Sequence, residues 1–211
     1  KESRDTHTGR VILNTEQGTL DGELLLLPIQ EWFFESNFIA AHHCNQSFLI
    51  KTLKLDINRL QASIDKLVEH HDAFRLRYRN GNDGSYVQYY DCNAKIEGLK
   101  TLDITTLEVR GKRGGSEKRL QQIFTSWQDS FDLAKGPIYS IGYVYGYDDG
   151  SCRIYFALHH LIVDAVSWRV LAEDLRDLYY GKDLGPKGSS YRQWVKAIKD
   201  YAYSHGKEEA Y

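Results

Sequence analysis

Methionine is missing altogether, so the chain carries no initiator, and the expectation is a piece cut from a longer protein. Cysteine is scarce. Cys44, Cys92 and Cys152 form an odd set without Cys-x-x-Cys spacing; this argues against a disulfide framework or a structural zinc site and fits a reducing, cytoplasmic compartment. No apolar run reaches the roughly 20 residues that span a bilayer, and no signal peptide is visible. Neither sign of charge is in excess. A net charge of −2 gives no electrostatic reason to expect nucleic acid or an anionic membrane as partner. Metal-ligand spacing is also lacking. His42-His43-Cys44 and His70-His71 are adjacent pairs that diverge in a strand, with no His-x-x-x-His on one helix, so no metal is expected. There is no Gly-x-Ser-x-Gly elbow to activate a serine nucleophile.

What remains is an ordinary globular balance, 42% apolar and 27% charged over 211 residues, enough for one domain with a real core. Aromatics are plentiful and are read chiefly as core and sheet packing. The chain is organised around Leu158 to Trp168, where His159, His160 and Asp164 lie between strong apolar runs. Upstream, Arg153 to Leu158 reads as a buried strand. Downstream, Val170, Leu171, Asp174, Leu175, Leu178 and Tyr179 recur at helical spacing, with Ser167 read as the N-cap. Strand side chains alternate, so His160 shares parity with Ile154, Phe156 and Leu158, and His159 with Arg153, Tyr155 and Ala157. Only one imidazole can face a given side.

Along the chain, residues 1–10 are expected to fray, and Val11 to Leu13 reads as a short strand. A first helix starts near Pro28, a residue suited to a first turn. Gln46 to Leu55 is expected as a strand with Phe48, Ile50, Leu53 and Leu55 inward, followed by a helix capped by Asp56 that buries Leu60, Ile64, Leu67 and Val68. Phe74, Leu76 and Tyr78 should share one face of a strand whose other face carries Arg75, Arg77 and Arg79; its hairpin partner, Ser85 to Tyr90, follows the turn at Asn80 to Gly84. Ile96 to Ile104 gives a short strand and loop, and Arg110 to Ser116 a solvated loop without the strand–Gly–helix context of a phosphate cradle. Glu117 to Phe131 reads as a helix with Leu120, Ile123, Phe124 and Trp127 inward. Ile138 to Tyr147 and Ser151 to His159 form a hairpin around Asp148-Asp149-Gly150. A linker at Gly181 to Ser190 precedes a last helix at Tyr191 to Tyr203. The alternation predicts an α/β sandwich with a mixed sheet.

His159-His160-x-x-x-Asp164 with Ser167-Trp168 resembles the active-site signature of the condensation superfamily of nonribosomal peptide synthetases. The continuation Val166 to Leu175 resembles the epimerization subgroup, although Ala165 stands where the family has glycine. Pro28-Ile29-Gln30-Glu31-Trp32-Phe33, His70 to Tyr78 and Phe131 to Pro137 resemble further motifs of the same family. The resemblance runs from about Gly22 to Tyr211 and covers the first of the family's two lobes.

That resemblance implies a chloramphenicol-acetyltransferase-like α/β sandwich lobe, with a mixed, mainly antiparallel sheet flanked by helices. It places the N-terminal lobe at 1–185 and, at 186–211, a linker and helix leading to a missing C-terminal lobe. A tunnel between the lobes would admit the 4'-phosphopantetheine arm of a peptidyl carrier domain, so the implied partners are that domain and the second lobe, the chain being otherwise a monomer. No cofactor is bound directly. His160 is implied as the acid/base that exchanges the α-proton of an aminoacyl or peptidyl thioester, a task suited to a side chain with a reference pKa near 6.5. His159 is implied as a packing or hydrogen-bonding neighbour. Asp164 is either an orienting carboxylate or, as the resemblance favours, an anchor paired with an arginine of the missing lobe; Arg75 and Arg77 are the local alternatives. Ser167, Trp168 and Gln30 are implied along the tunnel. The second lobe's glutamate has no counterpart here, so half of an active site is expected, with an apolar face left open near His160. The rival readings are a condensation domain using the same histidine, a non-catalytic carrier-docking module, and a free coenzyme-A acyltransferase.

Overall fold

A computed structural model describes residues 15–82, 84–107 and 115–205. The expected fraying at 1–10, the strand at Val11 to Leu13 and most of the loop at Arg110 to Ser116 lie outside the described residues.

Two sheets make the frame. The larger is built on the hairpin of β6 (Tyr139–Tyr145) and β7 (Cys152–His159), which turn at Asp148-Asp149-Gly150 as the sequence predicts. Outside β7 lies β2 (Asn45–Thr52), antiparallel, with Phe48 opposite Phe156 and Ile50 opposite Ile154. Outside β6 lies β5 (Lys100–Asp103), the one parallel neighbour, giving the order β2-β7-β6-β5. β2 stops at Thr52, short of the expected Leu55. Leu53 and Leu55 break the parity of Phe48 and Ile50, and Leu53 is 83% exposed.

On one face of this sheet lie α2 (Ile57–His70) and α4 (Ala165–Tyr179). Asp56 starts α2 by accepting the N–H of Arg59 at 2.8 Å. Leu60, Ile64, Leu67 and Val68 then recur at helical spacing and pack with Leu171 and Leu175 over Ile141, Tyr143, Ile154, Phe156 and Leu158. Burying a side chain of this size stabilises by about 1.5–3 kcal/mol. The opposite face carries Tyr155 and Ala157 against Phe131, Phe124 and Trp127, the last two from α3 (Gly115–Gln128). α3 starts before the expected Glu117 and ends before Phe131. Gly142 of β6 leaves the room that the Trp127 indole needs: a Cβ there would lie 2.3 Å from that ring.

The smaller sheet is antiparallel, in the order β1 (Gly22–Leu24), β4 (Tyr86–Tyr90), β3 (Leu76–Asn80). Its core joins Leu24, Leu76, Tyr78 and Tyr90 to Phe33 and Phe34 of α1 (Pro28–Glu35). The expectation for Phe74 to Arg79 is corrected here. Asp72 to Arg75 forms a 3₁₀ turn, and both Arg75 and Arg77 are buried. They survive burial because their guanidinium groups donate to backbone carbonyls, Arg75 to Val68 and Glu69 and Arg77 to Phe74 and Leu76. The last helix, α5 (Tyr191–Ser204), is capped by Ser190 and returns to α1, where Lys199 meets Glu31 at 2.9 Å and Val195 is buried. No helix among the described residues is long and apolar enough to cross a membrane.

Candidate active site

The signature histidines sit where β7 ends, and they meet opposite fates. His159 is the last strand residue and is wholly buried. Its Nε2–H donates to the carbonyl of Ala41 at 2.8 Å, and its Nδ1 accepts the N–H of Leu161 at 3.2 Å. The ring of Phe33 meets it edge-on at 5.6 Å. With both nitrogens engaged, burial pushes its pKa down to about 4, against the weaker upward pull of the Ala41 carbonyl.

His160 lies one residue beyond the strand and is exposed. Its direction is therefore set by the turn, not by the strand parity. Its backbone N–H still donates to the Cys44 carbonyl at 2.9 Å, extending the β2–β7 ladder by one bond, and the Ile162 N–H closes the turn onto the His159 carbonyl at 3.0 Å. The ring bridges two partners: Nδ1 lies 3.1 Å from the Val163 carbonyl and Nε2 lies 3.1 Å from the side-chain amide nitrogen of Gln46. The Gln46 amide oxygen in turn accepts the indole N–H of Trp168 at 2.9 Å, and the Trp168 ring packs edge-on against Phe48 at 4.6 Å.

Asp164, not Ser167, is the N-cap of α4. Its carboxylate accepts the Ser167 N–H at 2.8 Å and the Ser167 hydroxyl at 2.6 Å, while the Asp164 N–H donates to the Ser167 hydroxyl oxygen at 3.4 Å. The Ser167 hydroxyl, followed by its amide, lowers the Asp164 pKa. The local arginines do not serve Asp164: Arg75 is paired with Asp72, and Arg77 serves the backbone. Nor does the carboxylate take the His160 Nδ1, which belongs to Val163.

His160, Asp164 and Ser167 share an open cleft of about 550 Å³ with Leu27, Ile29, Gln30, Trp32, Leu161, Tyr191 and Trp194. Ile29, Trp32 and Trp194 stand exposed along it. Gln30 borders the cleft, yet its amide is turned inward and buried. It accepts the Leu27 N–H at 2.9 Å and meets the Gln88 amide at 3.2 Å. The Tyr78 hydroxyl continues this network to the Leu161 carbonyl at 3.3 Å. Trp168 is reached from the other side of His160, through Gln46. No group of three His, Cys, Asp or Glu side chains converges as metal ligands among the described residues; His43 faces Asp129 and His71 faces Asp174.

The sequence model of the Condensation domain family matches residues 21–211. The chain belongs to the condensation-domain family. Its curated relatives are peptide synthetases. It is 45% identical over 194 residues to the N-(5-amino-5-carboxypentanoyl)-L-cysteinyl-D-valine synthase of Amycolatopsis lactamdurans, covering 92% of this chain and 5% of that protein. Against surfactin synthase subunit 1 of Bacillus subtilis (strain 168) the identity is 34% over 205 residues, with 93% of this chain and 6% of that one covered. The condensation-type chain thus spans about a twentieth of the length of these relatives. Among solved structures, the epimerization domain from the third module of tyrocidine synthetase B matches at TM-score 0.77 and 31% identity, over 89% of this chain and 43% of that one. The first condensation domain of the calcium-dependent antibiotic synthetase matches at TM-score 0.71 over 89% of this chain and 45% of that one; at 16% identity it carries the fold alone. The fold is the chloramphenicol-acetyltransferase-like N-terminal lobe of the family.

Sequence reasoning missed Gln46. The signal was present: Gln46 shares parity with the inward Phe48 and Ile50, and an amide on the core-facing side of a strand needs partners.

Proposed function

We propose that this condensation-family lobe is half of an epimerization domain, which exchanges the α-proton of an aminoacyl or peptidyl thioester. The observation that carries the reading is the contrast within the signature: His159 is buried with both nitrogens engaged, while His160 is exposed on the rim of an apolar cleft. Support for the subgroup comes from the 31% identity to an epimerization domain and from a 45% identical relative whose name includes a D-valine product.

On this reading the carrier domain's phosphopantetheine arm brings the substrate to the cleft. The thioester carbonyl acidifies the α-carbon, so its C–H proton moves to the His160 Nε2 and the bonding pair passes into the enolate-like thioester. A proton returned on the other face inverts the centre, delivered by a group on the opposite wall. That wall belongs to a second lobe, with residues 1–185 as the first lobe and 186–211 leading onward, in a cytoplasmic synthetase. The open apolar rim of Ile29, Trp32 and Trp194 fits a face that a second lobe covers.

Deuterium uptake at the α-carbon of a carrier-bound aminoacyl thioester, in the two-lobed protein, tests this. A general acid–base group typically contributes ~10²–10⁴-fold in rate, and His160→Ala should lose at least that much. Uptake at the wild-type rate in that variant sinks the proposal. The match to the Condensation family favours a second reading, in which the same imidazole assists attack of an amine on a thioester. Peptide-bond formation with no α-deuterium uptake decides for it.

A further inference from the structure

Gln46 is an uncharged side chain on the outer strand of the larger sheet, more than a hundred residues from the signature, yet it is the one that touches the outer nitrogen of His160. The polarity of the chain Trp168–Gln46–His160–Val163 is forced from both ends. An indole N–H can only donate, so the Gln46 oxygen must face Trp168 and its NH₂ must face His160. An amide NH₂ can only donate as well, so the His160 Nε2 must present its lone pair. At the other end a carbonyl can only accept, so the Nδ1 carries the proton and donates it to Val163. Each of the three bonds is satisfied in this one arrangement, and a flip of the Gln46 amide would set donor against donor at Trp168.

We infer that Gln46, pinned by Trp168, is a positioning residue that holds His160 in the Nδ1–H tautomer with its lone pair on Nε2. The inference rests on the reading of His160 as the proton-transferring group, for which this is the tautomer a base acting through Nε2 requires. It also gives the arrangement a direction. In the resting protein the Gln46 NH₂ occupies the lone pair, and an approaching substrate C–H takes its place. Once the proton has moved from carbon to Nε2, the Nε2–H faces the Gln46 NH₂, which offers it no acceptor, so Gln46 holds the base form and not the protonated one. The titratable groups around the imidazole are Cys44, Asp164 and Tyr191 in the same cleft and the adjoining His159. None of these stands in the chain of three bonds, which is why an uncharged glutamine can govern the tautomer.

Two variants separate this role from packing. Gln46→Glu keeps the shape and still accepts from Trp168, but it offers His160 an anionic acceptor instead of a donor. A carboxylate this close typically raises a histidine pKa by ~1–3 units. Gln46→Leu removes both bonds. Long-range ¹H–¹⁵N correlation of the His160 ring should show Nδ1 protonated and Nε2 bare in the neutral wild type. Gln46→Leu, which leaves the Val163 carbonyl alone to fix the proton, should raise the share of the Nε2–H tautomer above that of the wild type. Gln46→Glu should move the His160 titration upward by about one unit or more, that is tenfold or more in its proton affinity. In the two-lobed protein the acidic limb of the pH–rate profile for α-deuterium uptake should move with it, whereas a packing role would lower the rate without moving the limb. A neutral wild-type ring protonated at Nε2, or a His160 titration unmoved in a folded Gln46→Glu, overturns the inference. Uptake that persists in His160→Ala overturns the functional reading instead, and the ring spectrum of the wild type still decides the tautomer.

Discussion

The fold of this lobe should weaken as mild acid is approached, and His159 is the reason. In the folded chain burial holds its pKa at about 4, whereas the unfolded chain leaves it at the ordinary value of 6.5. Above pH 6.5 both states carry a neutral ring and the full stability is present. Below it the unfolded chain takes up a proton that the folded chain refuses until about pH 4, so stability falls as pH falls through that interval. At 1.36 kcal/mol per pH unit the interval amounts to about 3 kcal/mol, of which roughly 2.5 kcal/mol is gone by pH 4.5. This is a large part of the ~5–15 kcal/mol that holds a domain together. His71 acts in the same direction, because burial outweighs the pull of Asp174 on its ring and lowers its pKa. The measurement must therefore be a difference. His159→Gln keeps a donor for the Ala41 carbonyl and an acceptor for the Leu161 N–H but does not titrate. Urea unfolding of both proteins at pH 7.5, 6, 5 and 4.5 should show a lower starting stability for His159→Gln, by about 1–3 kcal/mol, with a clearly flatter decline. Parallel declines in the two proteins would refute the argument, since His71 and the carboxylates are common to both.

Two further outcomes follow from packing and capping. Asp164→Ala should cost about 1 kcal/mol by removing the cap of α4, while Asp164→Asn, an equally good cap, should stay within a few tenths; equal losses in urea midpoints would place the carboxylate's role elsewhere. Gly142→Ala should destabilise by about 1–3 kcal/mol, because its Cβ would meet the Trp127 ring at 2.3 Å, and an unchanged midpoint would mean that α3 shifts freely on the sheet.

Much of this was legible in the sequence because the signals were local. Asp148-Asp149-Gly150 fixed the β6–β7 hairpin, and Asp56 with the spacing of Leu60, Ile64, Leu67 and Val68 fixed α2. Strand alternation predicted that His159 and His160 would diverge, and they do, but the direction of His160 is set by the turn because it lies one residue past the strand. The misreadings share a different character. Asp164 and Ser167 are both good cap residues three apart, and the backbone, not the composition, decides which of them caps and which closes the box. Arg75 and Arg77 read as a solvent face because burial of a guanidinium depends on carbonyls that only the folded chain presents. Gln46 escaped notice because its partners lie 114 and 122 residues away. Only the β2–β7 register, Asn45 opposite His159, brings them together.

That register also explains why the site sits at the seam of the two sheets. β2 ends its pairing at the histidines, so one side of the turn is held by the larger sheet through the Cys44 carbonyl. The other side is held by the smaller sheet, where the Tyr78 hydroxyl of β3 donates to the Leu161 carbonyl, while Ile138, just before β6 of the larger sheet, accepts the His159 N–H at 2.9 Å. Tyr78 and Ile138 belong to the same buried cluster as Phe33 of α1, which also meets the His159 ring. His159 is thus a brace between sheets, and its neutrality is a condition of the packing. His160 needs the reverse, an exposed ring held by polar contacts at both nitrogens, and it obtains this by lying one residue past the ladder. A turn anchored on both sheets can keep an exposed imidazole oriented without burying it.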